Sequence, residues 1–98
     1  SLLKLVKVCY RTGDFHAGLQ CIEKLLAINP WNHEVYAWQA DMRKAMGRLP
    51  EAIEAAEKGL QLNPRMTSLR TWLAASYQEA GRQEESDTQR SILRRMNH

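Results

Sequence analysis

A 34-residue period runs through the chain and limits it to one kind of architecture. Gly13, Gly47 and Gly81 are each 34 positions apart, as are Asn29-Pro30 and Asn63-Pro64, and Trp38 and Trp72. Self-similarity at this spacing means stacked helical units, because no single unit can bury its apolar face alone. The stretch 47–64, GRLPEAIEAAEKGLQLNP, shows the unit's punctuation as a turn, one amphipathic helix and a stop.

Apolar residues three and four apart mark six helices. Residues 1–11 place Leu2, Leu5, Val6 and Cys9 on one stripe, and Gly13 follows, suited to the left-handed cap past a helix end. Asp14 can cap the next helix, 15–28, whose apolar face is Phe15, Leu19, Ile22, Leu25, Leu26 and Ile28. Asn29-Pro30 stops it, since proline cannot continue the hydrogen-bond ladder. The third helix, 32–46, has Asn32 as its N-cap and a broader stripe of Val35, Tyr36, Trp38, Ala40, Met42 and Met46. Pro50 opens the fourth, which runs to about Leu62 with Ala52, Ile53, Ala56, Gly59, Leu60 and Leu62 inward. The fifth, 67–80, carries Leu69, Trp72, Leu73, Ala74, Tyr77 and Ala80, with Thr67 or Ser68 as cap.

The sixth helix, about 83–96, departs from its predecessors. Asp87, Arg90 and Arg94 replace Leu19/Ile53, Ile22/Ala56 and Leu26/Leu60, which leaves Ile92, Leu93 and Met96 as its apolar residues. That polar outer face suits an end repeat, and Leu93 and Met96 are expected against the fifth helix.

Composition is that of an ordinary globular chain: 98 residues, 44% hydrophobic, 26% charged, net charge +3. No apolar run approaches the ~18–20 residues of a membrane span. Ser1 lies directly inside an apolar helical pattern, so a piece of a longer protein is expected. Cys9 and Cys21 fall at positions expected to be buried, where thiols act as small hydrophobes. Their spacing calls for neither a disulfide nor a metal, which favours a reducing, cytoplasmic setting.

The units also resemble tetratricopeptide repeats. In the second unit Tyr36, Ala40, Gly47, Ala52, Ala56 and Pro64 match that family's pattern. Leu5, Gly13, Phe15, Gly18, Ile22, Leu25 and Pro30 match in the first, and Leu73, Ala74, Tyr77 and Gly81 in the third. Gln39 and Arg43 stand at positions usually apolar, and Arg70 where the aromatic usually is. The resemblance implies an all-α, right-handed superhelix (α-solenoid) of three antiparallel helix pairs. It makes 1–98 a single domain with units of about 1–32, 33–66 and 67–98.

No constellation for catalysis is present. His16, His33 and His98 are scattered, no pair at i,i+4 could share a metal, and Glu84-Glu85 suits a helix start. No phosphate loop or dinucleotide fingerprint occurs. An enzyme, a metal and a cofactor are therefore not expected.

In such arrays the first helix of each pair lines a concave surface used for binding. Lys4, Lys7 and Arg11 then face the groove from the first helix, Glu34, Ala37, Trp38, Asp41 and Lys44 from the third. Ser68, Thr71, Trp72, Ala75, Gln78 and Glu79 do so from the fifth. The basic trio reads either as a solvated face or as a wall for an acidic peptide. Trp38 and Trp72, at equivalent positions, read either as packing between first helices or as an aromatic floor for an apolar or proline-containing segment. The two-carboxylate clamp of chaperone-binding tetratricopeptide repeats maps to Leu3, Lys7, Trp38, Ser68 and Trp72. Only Lys7 is basic, so that activity is not implied.

The reading is a non-enzymatic protein-interaction module that takes a peptide or helix of a partner. The alternative is a structural segment that packs against its own parent or self-associates. Nucleic acid through Lys4, Lys7, Arg11, Arg43 and Arg90/Arg94/Arg95 is disfavoured because these groups lie on separate faces, and no membrane is expected.

Overall fold

A computed structural model describes residues 2–96; His98 lies outside them. The chain forms α1 (Leu2–Thr12), α2 (Phe15–Ile28), α3 (His33–Ala45), α4 (Leu49–Leu62), α5 (Thr67–Glu79) and α6 (Gln83–Met96). The helices pair antiparallel as α1/α2, α3/α4 and α5/α6, and successive pairs stack through α2 on α3 and α4 on α5.

One turn recurs inside every pair. Gly13, Gly47 and Gly81 have φ of 85°, 79° and 77°, the left-handed region that costs a glycine nothing. The next residue reaches back to the helix it leaves: Asp14 N–H to the Cys9 carbonyl at 2.9 Å, Arg48 to Arg43 at 2.9 Å, Arg82 to Tyr77 at 2.7 Å. These bonds satisfy carbonyls that a helix end otherwise leaves without partners.

A second device joins the pairs. Asn29 and Asn63 each accept, through Oδ1, the N–H two residues on (Trp31, 3.1 Å; Arg65, 3.2 Å). Their own N–H groups close α2 and α4 on Leu25 and Gly59. The Asn-Pro pair thus supplies a side-chain turn as well as a stop.

The core has two compartments. Val6, Cys9, Cys21, Ile22, Val35 and Met42 fill the first, with Phe15, Leu19, Leu25, Leu26 and Trp38 packed against it. Ala40, Ile53, Ala55, Ala56, Leu69, Leu73 and Tyr77 fill the second, flanked by Leu60 and Trp72. Burial of an aliphatic side chain as large as Ile22, Ile53 or Leu73 contributes about 1.5–3 kcal/mol. Gly59 marks the tightest approach in the second compartment: a Cβ there would stand 3.0 Å from Leu69 Cδ2 and 3.0 Å from Tyr36 Cβ.

Some expectations need correction. Leu5 and Ile28, assigned to apolar stripes, are exposed, because periodicity marks a stripe without saying which neighbour covers it. Met96 is exposed rather than packed on α5. Met66, not Thr67 or Ser68, holds the N-cap position of α5 and supplies no side-chain bond. Asn32 holds that of α3, likewise without one. Asp14 does cap α2, accepting from Ala17 N–H at 3.4 Å.

Arg70 explains itself in the fold. It occupies the position of Tyr36, whose hydroxyl donates to the Pro30 carbonyl at 3.2 Å. Arg70 Nη2 makes the same bond to Pro64 at 2.8 Å, and Nη1 donates to Gln89 Oε1 at 2.7 Å. The guanidinium therefore does the tyrosine's work in a buried position, leaving only Nε without a partner.

On α6, Ser86 is the buried residue, donating to the Ala74 carbonyl at 2.8 Å. Asp87, Arg90 and Arg94 are exposed on its outer face.

Candidate functional site

The first helices of the pairs, α1, α3 and α5, repeat their register every 34 residues. Lys4, Trp38 and Trp72 therefore occupy one row, and Lys7 and Asp41 a second.

Trp72 is half-buried and fixed at both its edge and its face. Its indole N–H donates to Asp41 Oδ1 at 2.8 Å, a bond between α5 and α3. Lys44 Nζ lies 5.3 Å from the ring centroid, and it pairs with Glu79 Oε2 at 3.2 Å and approaches Ser76 Oγ at 3.5 Å. Burial pushes the Asp41 carboxyl above its ordinary range, while the indole hydrogen bond and the Lys44 charge oppose the rise. These contacts tie the indole to α3 at its edge and set a cation against its face.

Trp38 belongs to a different aromatic group. Tyr10 meets it edge-on, with centroids 5.5 Å apart and planes at 73°, and Tyr10 meets Phe15 at 6.0 Å and 61°. Offset and edge-on pairs of this kind add about 0.5–1.5 kcal/mol beyond area burial. Each indole is thus half packing and half surface, so the two readings of the sequence are compatible.

The fold joins Asp41, Lys44 and Trp72 into one cluster and leaves Lys4, Lys7 and Arg11 exposed along α1. Gln78 stands apart, on the α6 side, where it accepts from Arg90 Nη2 at 2.5 Å. Nothing in the residue pattern singles out Tyr10 or Ser76. Aligning the units would have found both, since Tyr10 shares the row of Lys44, and Ser76 that of Met42.

The remaining polar groups serve packing between helices. Tyr77 donates to Glu57 Oε2 at 2.5 Å and lies under Arg82, 4.7 Å from its ring. Burial, then the Glu57 bond and charge, raise the Tyr77 hydroxyl well above the usual range. Arg82 also binds Glu85 at 2.6 and 2.7 Å, which holds that carboxyl below its ordinary value. Asn63 Nδ2 meets His33 Nε2 at 3.3 Å within the second unit, joining the end of α4 to the start of α3, and His16 is exposed. Cys9 and Cys21 are free and buried, and burial raises the Cys9 thiol. Among the described residues, no group of three or more His, Cys, Asp or Glu could hold a metal, and no helix is long and apolar enough to cross a membrane.

Against known families, residues 33–66 match the model of the tetratricopeptide repeat. That stretch is similar to a tetratricopeptide repeat. The matched segment is the middle unit, α3/α4, and the outer pairs repeat its turns and spacing. A search of the curated proteins finds no sequence relative.

Solved structures agree in fold. The Yersinia enterocolitica type III secretion chaperone SycD, in complex with a peptide of the translocator YopD, superposes with a TM-score of 0.88 at 16% identity, over 96% of this chain and 72% of that one. MamA of AMB-1 gives 0.85 at 22%, over 98% and 52%. A MamA RS-1 double mutant gives 0.92 at 14%, over 98% and 54%. The chain thus spans only about half the length of the MamA structures. At these identities the likeness is one of fold: an all-α, right-handed solenoid of three helix pairs.

Proposed function

We propose that the three units act as one non-enzymatic binding module that holds a peptide or short helix of a partner protein against α1, α3 and α5. The row Lys4, Trp38, Trp72 carries this reading, because it sets one cation and two half-exposed indoles at equivalent places on neighbouring helices. Aromatic anchors dominate binding energy when they are rigid and centrally placed. The Asp41 bond and the Tyr10 contact hold the two rings already, so little side-chain entropy remains to be lost on association.

Charge gives the bound segment a direction. Lys4, Lys7 and Arg11 crowd α1, which carries no acidic residue. An acidic end of the ligand belongs there, and an apolar or proline-containing part belongs over Trp38 and Trp72, with Asp41 and Lys44 beneath and Gln78 towards the far rim. The peptide seen on SycD supports the general mode and says nothing of the partner's sequence here.

The test is selection of peptides from a random display library on the chain, followed by variants. Lys7→Glu/Arg11→Glu should weaken selected acidic peptides at least tenfold while the helical circular dichroism stays unchanged. Equal binding by that variant contradicts the assigned direction.

A further inference from the structure

One buried row of the first helices changes chemistry between the second and third units. Gln39 stands where the next unit has Leu73, and they are 9% and 1% exposed. Leu73 needs no polar partner. Among the described residues the Gln39 amide has none, and a buried amide left so is costly. It lines a cleft of about 220 Å³ between α2 and α3, with Arg43, Arg48, Glu23, Gln20 and His16 around it. Both walls belong to this chain, since the cleft lies between two successive pairs.

The third unit shows the same place when it is closed. One period on from Arg43, Arg48, Glu23 and Glu51 stand Tyr77, Arg82, Glu57 and Glu85. The Tyr77 hydroxyl donates to Glu57 Oε2 at 2.5 Å, and Arg82 Nη2 lies 3.8 Å from that oxygen and 2.6 Å from Glu85 Oε2. A carboxylate there sits between a donor on the first helix and an arginine after the turn. In the second unit both receiving positions are arginines. Among the described residues, however, Arg43, Arg48 and Glu23 enter no ion pair. Arg43 Nη1 donates instead to the Glu51 carbonyl at 3.1 Å, which leaves Nε and Nη2 to another acceptor.

We propose that this cleft binds a monocarboxylate, with Arg43 and Arg48 around its oxygens and the Gln39 amide donating to it. Arginine matches a carboxylate with two parallel N–H donors. Charge selects the class: two arginines and one glutamate leave a single positive charge on the walls, which a monocarboxylate balances and a phosphate dianion exceeds. Volume limits the size, since pockets for drug-sized ligands run to ~300–1,000 Å³. The site uses no residue of the groove.

Sodium propionate, titrated into the 15N-labelled chain at constant ionic strength, tests this at the Gln39 side-chain amide and Arg43 Nε signals. Saturable shifts of roughly millimolar affinity are expected, with the Trp38 and Trp72 indoles unmoved. Gln39→Leu copies the third unit, so it should be at least as stable as the parent and weaken propionate about tenfold or more. Glu23→Gln should tighten it, because Glu23 is the competing anion. An acetylated tripeptide with a free C-terminal carboxylate separates the two sources of the ligand. Tighter binding than propionate at the same signals assigns a chain end, and weaker binding assigns a free acid. No saturable Gln39 shift in either the parent or Glu23→Gln would overturn the proposal. So would equal shifts with sodium chloride, equal affinity for inorganic phosphate, or unchanged binding by Gln39→Leu.

Discussion

Replacing Trp72 by phenylalanine isolates the bond that fixes its indole against α3. The substitution keeps an aromatic ring against Leu69 and its neighbours but removes the indole N–H, which donates to Asp41 Oδ1 at 2.8 Å. A hydrogen bond to a charged group contributes about 1.5–3 kcal/mol, and Asp41 is only part-buried, so water can replace some of the loss. The expected destabilisation is about 1–2 kcal/mol. For a chain of this size that lowers the midpoint of thermal unfolding by roughly 5–15 °C. Thermal melts followed by circular dichroism measure it, and a cycle with Asp41→Ala separates the bond from the packing. The two changes should be non-additive by about 1 kcal/mol or more. A Trp72→Phe variant as stable as the parent, or strictly additive effects, would refute the claim that this bond pins the ring.

Other contacts of the fold give further expected outcomes. The Trp72 indole proton resonance should titrate with Asp41 at a midpoint above the ordinary aspartate value of about 3.9. Because the folded form holds the proton more tightly than the unfolded one, ionised Asp41 subtracts stability at neutral pH. That deficit closes as pH falls through the raised pKa, and a midpoint below the ordinary value would contradict the sign. Gly59→Ala should destabilise by about 1 kcal/mol in urea melts, because overpacking against Tyr36 Cβ outweighs about 1 kcal/mol of helix propensity. Gly18→Ala should cost less, since its nearest obstacle is the flexible end of Met42. Arg70→Tyr should be at least as stable as the parent, restoring the arrangement of Tyr36, whereas Arg70→Ala should lose about 2–3 kcal/mol by the same melts.

How far the residues announce this fold differs from element to element. Gly13, Gly47 and Gly81 mark their turns because one backbone conformation excludes most side chains, so the 34-residue step survives even where the packing changes. Leu5 and Ile28 misled because amphipathicity reports that a face is apolar, not that a neighbour covers it. Arg70 looked like a departure, yet its long side chain reaches the proline carbonyl that Tyr36 reaches in the unit before. At the candidate site Trp38 and Trp72 stood out through their shared register. Their different supports did not, because Asp41 and Tyr10 meet them across helix boundaries. Gln78 fell on the expected helix, but Arg90 of α6 engages it away from the tryptophan cluster.

The central claim is that the partner lies on the row of tryptophans, and the indole resonances test it directly. The tightest peptide from the display selection is titrated into the 15N-labelled chain, whose three tryptophans give separate signals. The Trp38 and Trp72 signals should shift together and saturate, while that of Trp31, exposed in the loop between α2 and α3, should stay in place. A shift of Trp31 with Trp38 and Trp72 unmoved would show that the partner binds elsewhere.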